Sequence, residues 1–169
     1  MVLEQKLEAS RVLAAAIRSE IDAAAFYTRL QGKIKNIVLI EKLKFLSFEE
    51  EQHRKILGRL FSQKFAGKPL ELPDKSPLPP IGADLEENSS VLDLFQAALR
   101  AEQTAEEFYR EAGLKTDDQA GRKILAYLSR VERSHQFVIK SEIDLLSKYP
   151  DYYNVEDYHI GQDLFHIGP

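Results

Sequence analysis

The sequence repeats itself at a fixed offset, and this repeat constrains the fold more than any other feature. When residues 15–57 are laid against the residues 82 positions later, the two segments align without a gap. The stretch AAIRSE at 15–20, for example, corresponds to AALRAE at 97–102. Internal similarity at a constant offset is typical of a duplicated structural unit. The chain is therefore expected to contain two equivalent halves.

Each half has the hydrophobic spacing of two α-helices. Apolar residues recur at intervals of three and four positions, which is the helical period. Capping residues and helix breakers mark the ends, so that Ser90 with Asp93 resembles a capping box and Gly113 resembles a helix stop. Thr116 is the expected start of the last helix. The predicted helices cover about residues 3–31, 36–65, 90–112 and 116–148.

The segment between the second and third helices breaks every periodicity, because five of the seven prolines lie in residues 66–89. The other two connections are short, which makes the helices they join antiparallel neighbours. About 24 extended residues reach about 79 Å, whereas a helix of 25 residues is about 38 Å long. The long segment can therefore cross the whole molecule. We predict an all-α four-helix bundle over residues 1–148, with a crossover at 66–89 and a C-terminal tail at 149–169.

Six potential metal ligands obey the same offset. Each half has a helical Glu that is followed 30 residues later by a Glu-x-x-His motif. Side chains at i and i+3 lie about 60° apart around a helix, so the Glu and His of each motif can bind the same ion. Four carboxylates with two neutral imidazoles carry a charge of −4, which two divalent cations would neutralise. In the apo protein we expect crowding to raise all four Glu pKa values. The six residues are Glu20, Glu50, His53, Glu102, Glu132 and His135.

Composition narrows the chemistry further. The sequence has no Cys, which excludes disulfides, thiolate nucleophiles, Cys-bound zinc and iron–sulfur clusters. It has 23 Lys and Arg against 27 Asp and Glu, a formal charge of −4, which argues against a nucleic-acid-binding surface. It has no apolar run long enough to span a bilayer. We expect a cytoplasmic protein with no nucleic-acid or membrane partner.

Other side chains are weaker candidates. Tyr27 lies seven residues after Glu20, and Tyr109 repeats this spacing after Glu102. Both hydroxyls could orient metal-bound carboxylates, and packing in the core is the alternative interpretation. The tail also offers two pairs with ligand spacing, but neither has an upstream Glu. These pairs are Glu156 with His159 and Asp163 with His166.

With these residues in view, the chain resembles the ferritin-like di-iron carboxylate proteins and especially the rubrerythrins, over about residues 5–148. That family takes one Glu from each of two helices and Glu-x-x-His from each of the other two. The resemblance implies a ferritin-like bundle and two iron ions. It also implies roles for the six ligands: Glu50 and Glu132 bridging, Glu20 and Glu102 terminal, and His53 and His135 each capping one ion. No catalytic residue is expected beyond the metal ligands.

Two departures from the family pattern affect function. Rubrerythrins usually carry another ligand three residues after the third-helix Glu, where this chain has Ala105. Glu106 is a possible extra ligand, but only through a local bulge in the helix. The chain also lacks the Cys-bound rubredoxin iron, so it would need an external electron donor.

The function that the resemblance implies is reduction of hydrogen peroxide or dioxygen, and it favours peroxide. Several alternatives stay open: a ferroxidase or iron-handling protein, a di-manganese catalase-like protein, and a bundle that merely retains metal. We also expect the protein to be a homodimer.

Overall fold

The computed structural model describes residues 2–150 except 77, 80, 83, 84, 87 and 88, with side chains from Ala9 onward. Four α-helices make up this part of the chain, and it contains no strand. The predicted all-α four-helix bundle is confirmed. The tail pairs predicted at 156–159 and 163–166 lie outside the described residues. The helices are α1 (Val2–Gln31), α2 (Ile37–Lys64), α3 (Val91–Lys115) and α4 (Gln119–Lys148).

The helix starts follow from local capping. Asn36 accepts hydrogen bonds from the backbone N–H groups of Val38 and Leu39 at 3.0 and 3.1 Å, and so caps α2. Ser90 and Asp93 form the predicted capping box of α3. These side chains satisfy N–H groups that the first turn of a helix leaves unpaired.

Two predicted boundaries are wrong by a few residues. The third helix continues through Gly113 to Lys115, and buried Gly113 faces α4, where an added Cβ would make an ordinary contact with the Cβ of Leu125 at 3.5 Å. The fourth helix is capped by Asp118 rather than Thr116, since the Asp118 carboxylate accepts from the Gly121 N–H at 2.6 Å. Gly113 therefore lies within α3 and does not end it.

The bundle consists of two helical hairpins. Helix α1 packs along α2 and α3 packs along α4, while the hairpins meet through α1 on α3 and α2 on α4. Two apolar clusters fill the core, one around Phe26, Leu43 and Ile139 and the other around Ile17 and Leu57. Along every helix a buried polar stretch separates the residues of these two clusters.

The crossover between α2 and α3 is attached to the bundle. Its residues Ile81 and Leu85 pack against the apolar cluster around Phe26. Gly82 has a φ of 71°, and an added Cβ there would lie 2.6 Å from Leu85 Cδ1. This turn therefore needs glycine both for its backbone conformation and for its space. In the part of the chain that the structure describes, no helix is long and apolar enough to cross a membrane.

Candidate metal centre

The structure brings the six predicted ligands together in the polar layer between the two apolar clusters. Each helix contributes at mid-length, and all six side chains are no more than 3% exposed. We call this set the central cluster: Glu20 on α1, Glu50 and His53 on α2, Glu102 on α3, and Glu132 and His135 on α4.

The central cluster divides into two overlapping groups of four residues. In each group one oxygen or nitrogen atom per residue lies within 4.8 Å of the others, which is close enough for one ion. Two residues, Glu50 and Glu132, belong to both groups. The first group adds Glu20 and His53, and the second adds Glu102 and His135.

The two shared carboxylates each reach both imidazoles. Glu50 places Oε2 at 3.1 Å from His53 Nδ1 and Oε1 at 3.4 Å from His135 Nδ1. Glu132 places its two oxygens at 3.2 Å from the same two nitrogens. A carboxylate whose oxygens point to two positions has the geometry of a bridging ligand. These are the two residues to which the family resemblance gives a bridging role.

The other two carboxylates each approach one imidazole. Glu20 Oε2 lies 3.6 Å from His53 Nδ1, and Glu102 Oε2 lies 3.3 Å from His135 Nδ1. The two histidine rings stack with their centroids 5.5 Å apart and their planes at 16°. The arrangement has an approximate twofold axis between the rings, as the repeat predicts.

Two tyrosine hydroxyls join the hairpins at this centre. Tyr27 donates a hydrogen bond to Glu102 Oε1, and Tyr109 donates one to Glu20 Oε1. The sequence predicts a hydrogen-bonding role for both, but its spacing relates each tyrosine to the Glu of its own helix. The structure pairs each with the Glu of the other hairpin. The tyrosines therefore orient Glu102 and Glu20 and connect the two hairpins through hydrogen bonds.

Burial and mutual contact shift the pKa values of the cluster. Burial raises the pKa of Glu20 and of Glu102 well above the usual value, and the charge of Glu50 adds to both shifts. Burial also acts on Glu50, but hydrogen bonds from His135 and His53 outweigh it and hold the Glu50 pKa below its ordinary value. The prediction that all four pKa values rise is therefore wrong for Glu50.

The two histidines explain that exception. Burial alone lowers a histidine pKa, but the adjoining carboxylates outweigh it. They raise the pKa of His135 to about 12 and hold that of His53 well above its usual value. Two imidazolium groups thus offset part of the carboxylate charge, a compensation that reasoning from four neighbouring carboxylates omits.

The donor set fits a pair of divalent cations. Carboxylate oxygen and imidazole nitrogen suit iron and manganese. Both oxygens of Glu132 are buried and make no well-formed hydrogen bond among the described residues, and each lies 3.2 Å from Nδ1 of one histidine. A carboxylate buried in this way needs a cation beside it, either the protonated imidazoles or bound metal. With neutral histidines, two divalent cations would balance the four carboxylates.

A small cavity reaches the carboxylate side of the cluster between α1 and α3. It offers about 40 Å³ to water-sized molecules, which is more than one water needs. Small side chains, including Ala23 and Ala105, line its walls. The crossover covers it with Ser76, Leu78, Pro79 and Ile81.

Glu106 lies beside the central cluster and outside both groups of four. Helix α3 is an uninterrupted α-helix through this position. Arg133 Nε donates to Glu106 Oε1 at 2.9 Å, and Gln136 Nε2 donates to Oε2 at 2.6 Å. The sequence does not single out Gln136, because the residue 82 positions before it is Arg54 and Gln136 belongs to no metal-ligand motif.

Comparisons with known proteins agree with this arrangement. The family profile described as Rubrerythrin matches residues 11–143. A hypothetical protein from Pyrococcus furiosus has a similar structure, with 34% sequence identity, a TM-score of 0.73, and coverage of 83% of this chain and 91% of that one. Among curated proteins, none matches.

Proposed function

The chain belongs to the rubrerythrin family, and on that premise we propose that it is a di-iron carboxylate oxidoreductase that reduces hydrogen peroxide or dioxygen, with peroxide favoured. The proposal assigns two iron ions to the central cluster. The donor atoms suit both iron and manganese. The choice of iron therefore rests on the family match.

The observation that carries the proposal is the sharing of two carboxylates between two four-residue groups. Glu50 and Glu132 would bridge two ions, since each has one oxygen toward each imidazole. A site for one ion needs no such duplication. With both oxygens of each Glu and one nitrogen of each His, the six side chains supply ten donor atoms, more than one ion commonly binds.

A bound iron pair would supply the two electrons that cleave an O–O bond, and the protein supplies position and environment. The reaction consumes two electrons and two protons per peroxide and yields two waters. Tyr27 and Tyr109 hold the terminal carboxylates in place through their hydrogen bonds. The flanking apolar clusters exclude bulk water, so the charged groups interact strongly.

The oxidant needs a route to the central cluster, and the oxidised iron pair would need a source of electrons. The cavity between α1 and α3 leads to the side of the cluster opposite the histidine rings, and its size suits hydrogen peroxide or dioxygen rather than a bulky organic peroxide. Since this sequence has no Cys to hold a rubredoxin iron, an external donor would return the enzyme to its reduced state.

Quenched-flow oxidation of the Fe(II)-loaded protein tests this proposal. We expect one hydrogen peroxide to oxidise two bound Fe(II) ions, faster than dioxygen does, while cumene hydroperoxide reacts slowly. Glu132→Ala is the control for iron that is not held in the cluster. Bound Fe(II) that reacts with peroxide no faster than free Fe(II) would refute the proposal. Oxidation that continues far beyond two Fe(II) per chain would identify an iron-handling protein instead.

A further inference from the structure

Each histidine of the central cluster has a second ring nitrogen that the ligand arrangement leaves unused. Nδ1 of each ring faces the carboxylates, whereas Nε2 lies on the other side of the ring. Both Nε2 atoms are buried and have no hydrogen-bond partner among the described residues. A metal-binding histidine generally donates this second N–H to a carboxylate, carbonyl or water, which fixes the ring orientation.

A fifth carboxylate approaches these rings. One oxygen of Glu49, one nitrogen of His53 and one nitrogen of His135 all lie within 4.8 Å of one another. Glu49 belongs to neither of the four-residue groups. Because Nδ1 of each ring already contacts the shared carboxylates, Nε2 is the ring nitrogen that remains for Glu49. Its side chain is half-buried.

The register of α2 against α4 supports this placement independently. The two helices are antiparallel, and Lys42 on α2 pairs with buried Glu142 on α4. Seven residues onward along α2 and seven back along α4, the same register sets Glu49 opposite His135. Two helical turns thus bring Glu49 to the groove between α2 and α4.

The repeat shows that this carboxylate has no counterpart. The position 82 residues after Glu49 is Val131, which the same register sets opposite His53. A single carboxylate in this groove would therefore have two rings to contact, and the rings are stacked with centroids only 5.5 Å apart.

We propose that Glu49 is a positioning residue whose carboxylate accepts a hydrogen bond from Nε2–H of both His53 and His135, and so holds Nδ1 of each ring toward the metal pair. This inference rests on the proposed metal site, although not on the proposed oxidant. Glu49 itself does not bind the metal.

The sharpest test moves the carboxylate from position 49 on α2 to the equivalent position 131 on α4. Glu49→Val makes the first half resemble the second, and Glu49→Val/Val131→Glu returns one carboxylate to the groove from the opposite helix. Glu51→Val is the matched control, because it makes the same substitution and charge change two residues away, where Glu51 pairs with Arg54. Glu49→Gln keeps one acceptor, and circular dichroism verifies that each variant folds.

Two measurements report on the histidine rings independently of catalytic activity. They are Co(II) affinity by anaerobic titration, and the Nε2–H proton chemical shifts in Zn(II)-loaded protein labelled with [15N]histidine. We expect Glu49→Val to weaken Co(II) binding by about 10–100-fold and to move both Nε2–H signals upfield. The double variant should restore both readouts, Glu49→Gln should be intermediate, and Glu51→Val should match the wild type.

Wild-type affinity and unshifted Nε2–H signals in folded Glu49→Val would overturn the inference, as would an equal loss in Glu51→Val. A wild-type protein that binds no metal pair would instead refute the proposed function, so the two failures are distinguishable.

Discussion

The two hairpins are nearly identical at the centre of the bundle and differ around it. In both, a Glu, a Glu-x-x-His motif and a Tyr occupy positions related by the same offset, and the structure places them about one approximate twofold axis. Beside this centre, α2 carries an ion pair within one helix, Glu51 with Arg54. At the corresponding positions α4 has Arg133 and Gln136, and both reach across to Glu106 on α3.

The central residues are repeated in both hairpins, whereas the ion pairs around them are not. This difference distinguishes residues that the site needs from residues that can vary. Under the proposed function, a pair of like ions would need two matching sets of ligands, which accounts for the repeat of the ligands and their tyrosines. The polar contacts around the centre have no such requirement, and they differ between the two hairpins. This comparison predicts equal effects for substitutions at related central positions and unequal effects outside the centre.

The largest expected effect is at the two shared carboxylates. Glu50→Ala and Glu132→Ala should each abolish binding of the metal pair, because each removes an oxygen donor from both four-residue groups. Metal content after purification measures this. Glu156→Ala and His159→Ala in the tail are the controls and should retain wild-type metal. Loss of metal in the tail variants but not in Glu132→Ala would contradict the account of the repeat.

Stability against pH should differ between metal-loaded and chelator-treated protein. Glu20, Glu102, His53 and His135 have raised folded pKa values. Their stabilising contribution is complete below the unfolded pKa, about 4.3 for Glu and 6.5 for His, and is lost as pH rises through the folded value. Glu50, with a lowered pKa, contributes above about 4.3 and changes little near neutrality.

Chelator-treated protein should therefore become less stable from pH 5 to pH 8. Metal binding requires ionised carboxylates and neutral imidazoles, so its contribution grows over the same range. At a free metal concentration of 100 times Kd it adds about 2.7 kcal/mol. Reversible urea unfolding at both pH values measures the gap. A gap that narrows as pH rises would contradict this, as would unequal stabilisation of the chelator-treated protein by Glu20→Gln and Glu102→Gln at pH 8.

The tyrosine pair should respond symmetrically. Tyr27→Phe and Tyr109→Phe each remove a buried hydrogen bond to a carboxylate of the other hairpin. We expect each to cost about 1–3 kcal/mol of unfolding free energy in the metal-loaded protein. Urea unfolding of both variants measures it. A large effect of one and none of the other would break the symmetry of the centre.

The smallest expected effects lie outside the centre and should be unequal. Glu106→Ala removes an acceptor shared by Arg133 and Gln136, at a side chain that is 16% exposed, and should cost about 1 kcal/mol. Glu51→Ala breaks a more exposed pair and should cost about 0.5 kcal/mol or less. Comparison of urea midpoints tests this, and equal costs would show that the second hairpin gains nothing from its cross-helix contacts.

The sequence was sufficient to predict the bundle and the composition of its centre, because helical periodicity and a gap-free repeat depend only on spacing. It did not predict that Tyr27 contacts Glu102, since a position on one helix does not reveal which neighbouring helix it faces. Gly113 was expected to end α3 because glycine is common at helix ends, whereas its burial against α4 depends on residues far away in the sequence. The lowered pKa of Glu50 likewise depends on the distance to both histidines.

The most direct test of the account is the metal content of the purified wild-type protein, expressed with ample iron and measured by mass spectrometry alongside total amino acids. We expect about two iron ions per chain, since six paired ligands form two sites that share two carboxylates. A single tightly bound zinc ion, or no metal at all, would contradict the central claim that the repeat builds one pseudo-symmetric centre for a pair of iron ions.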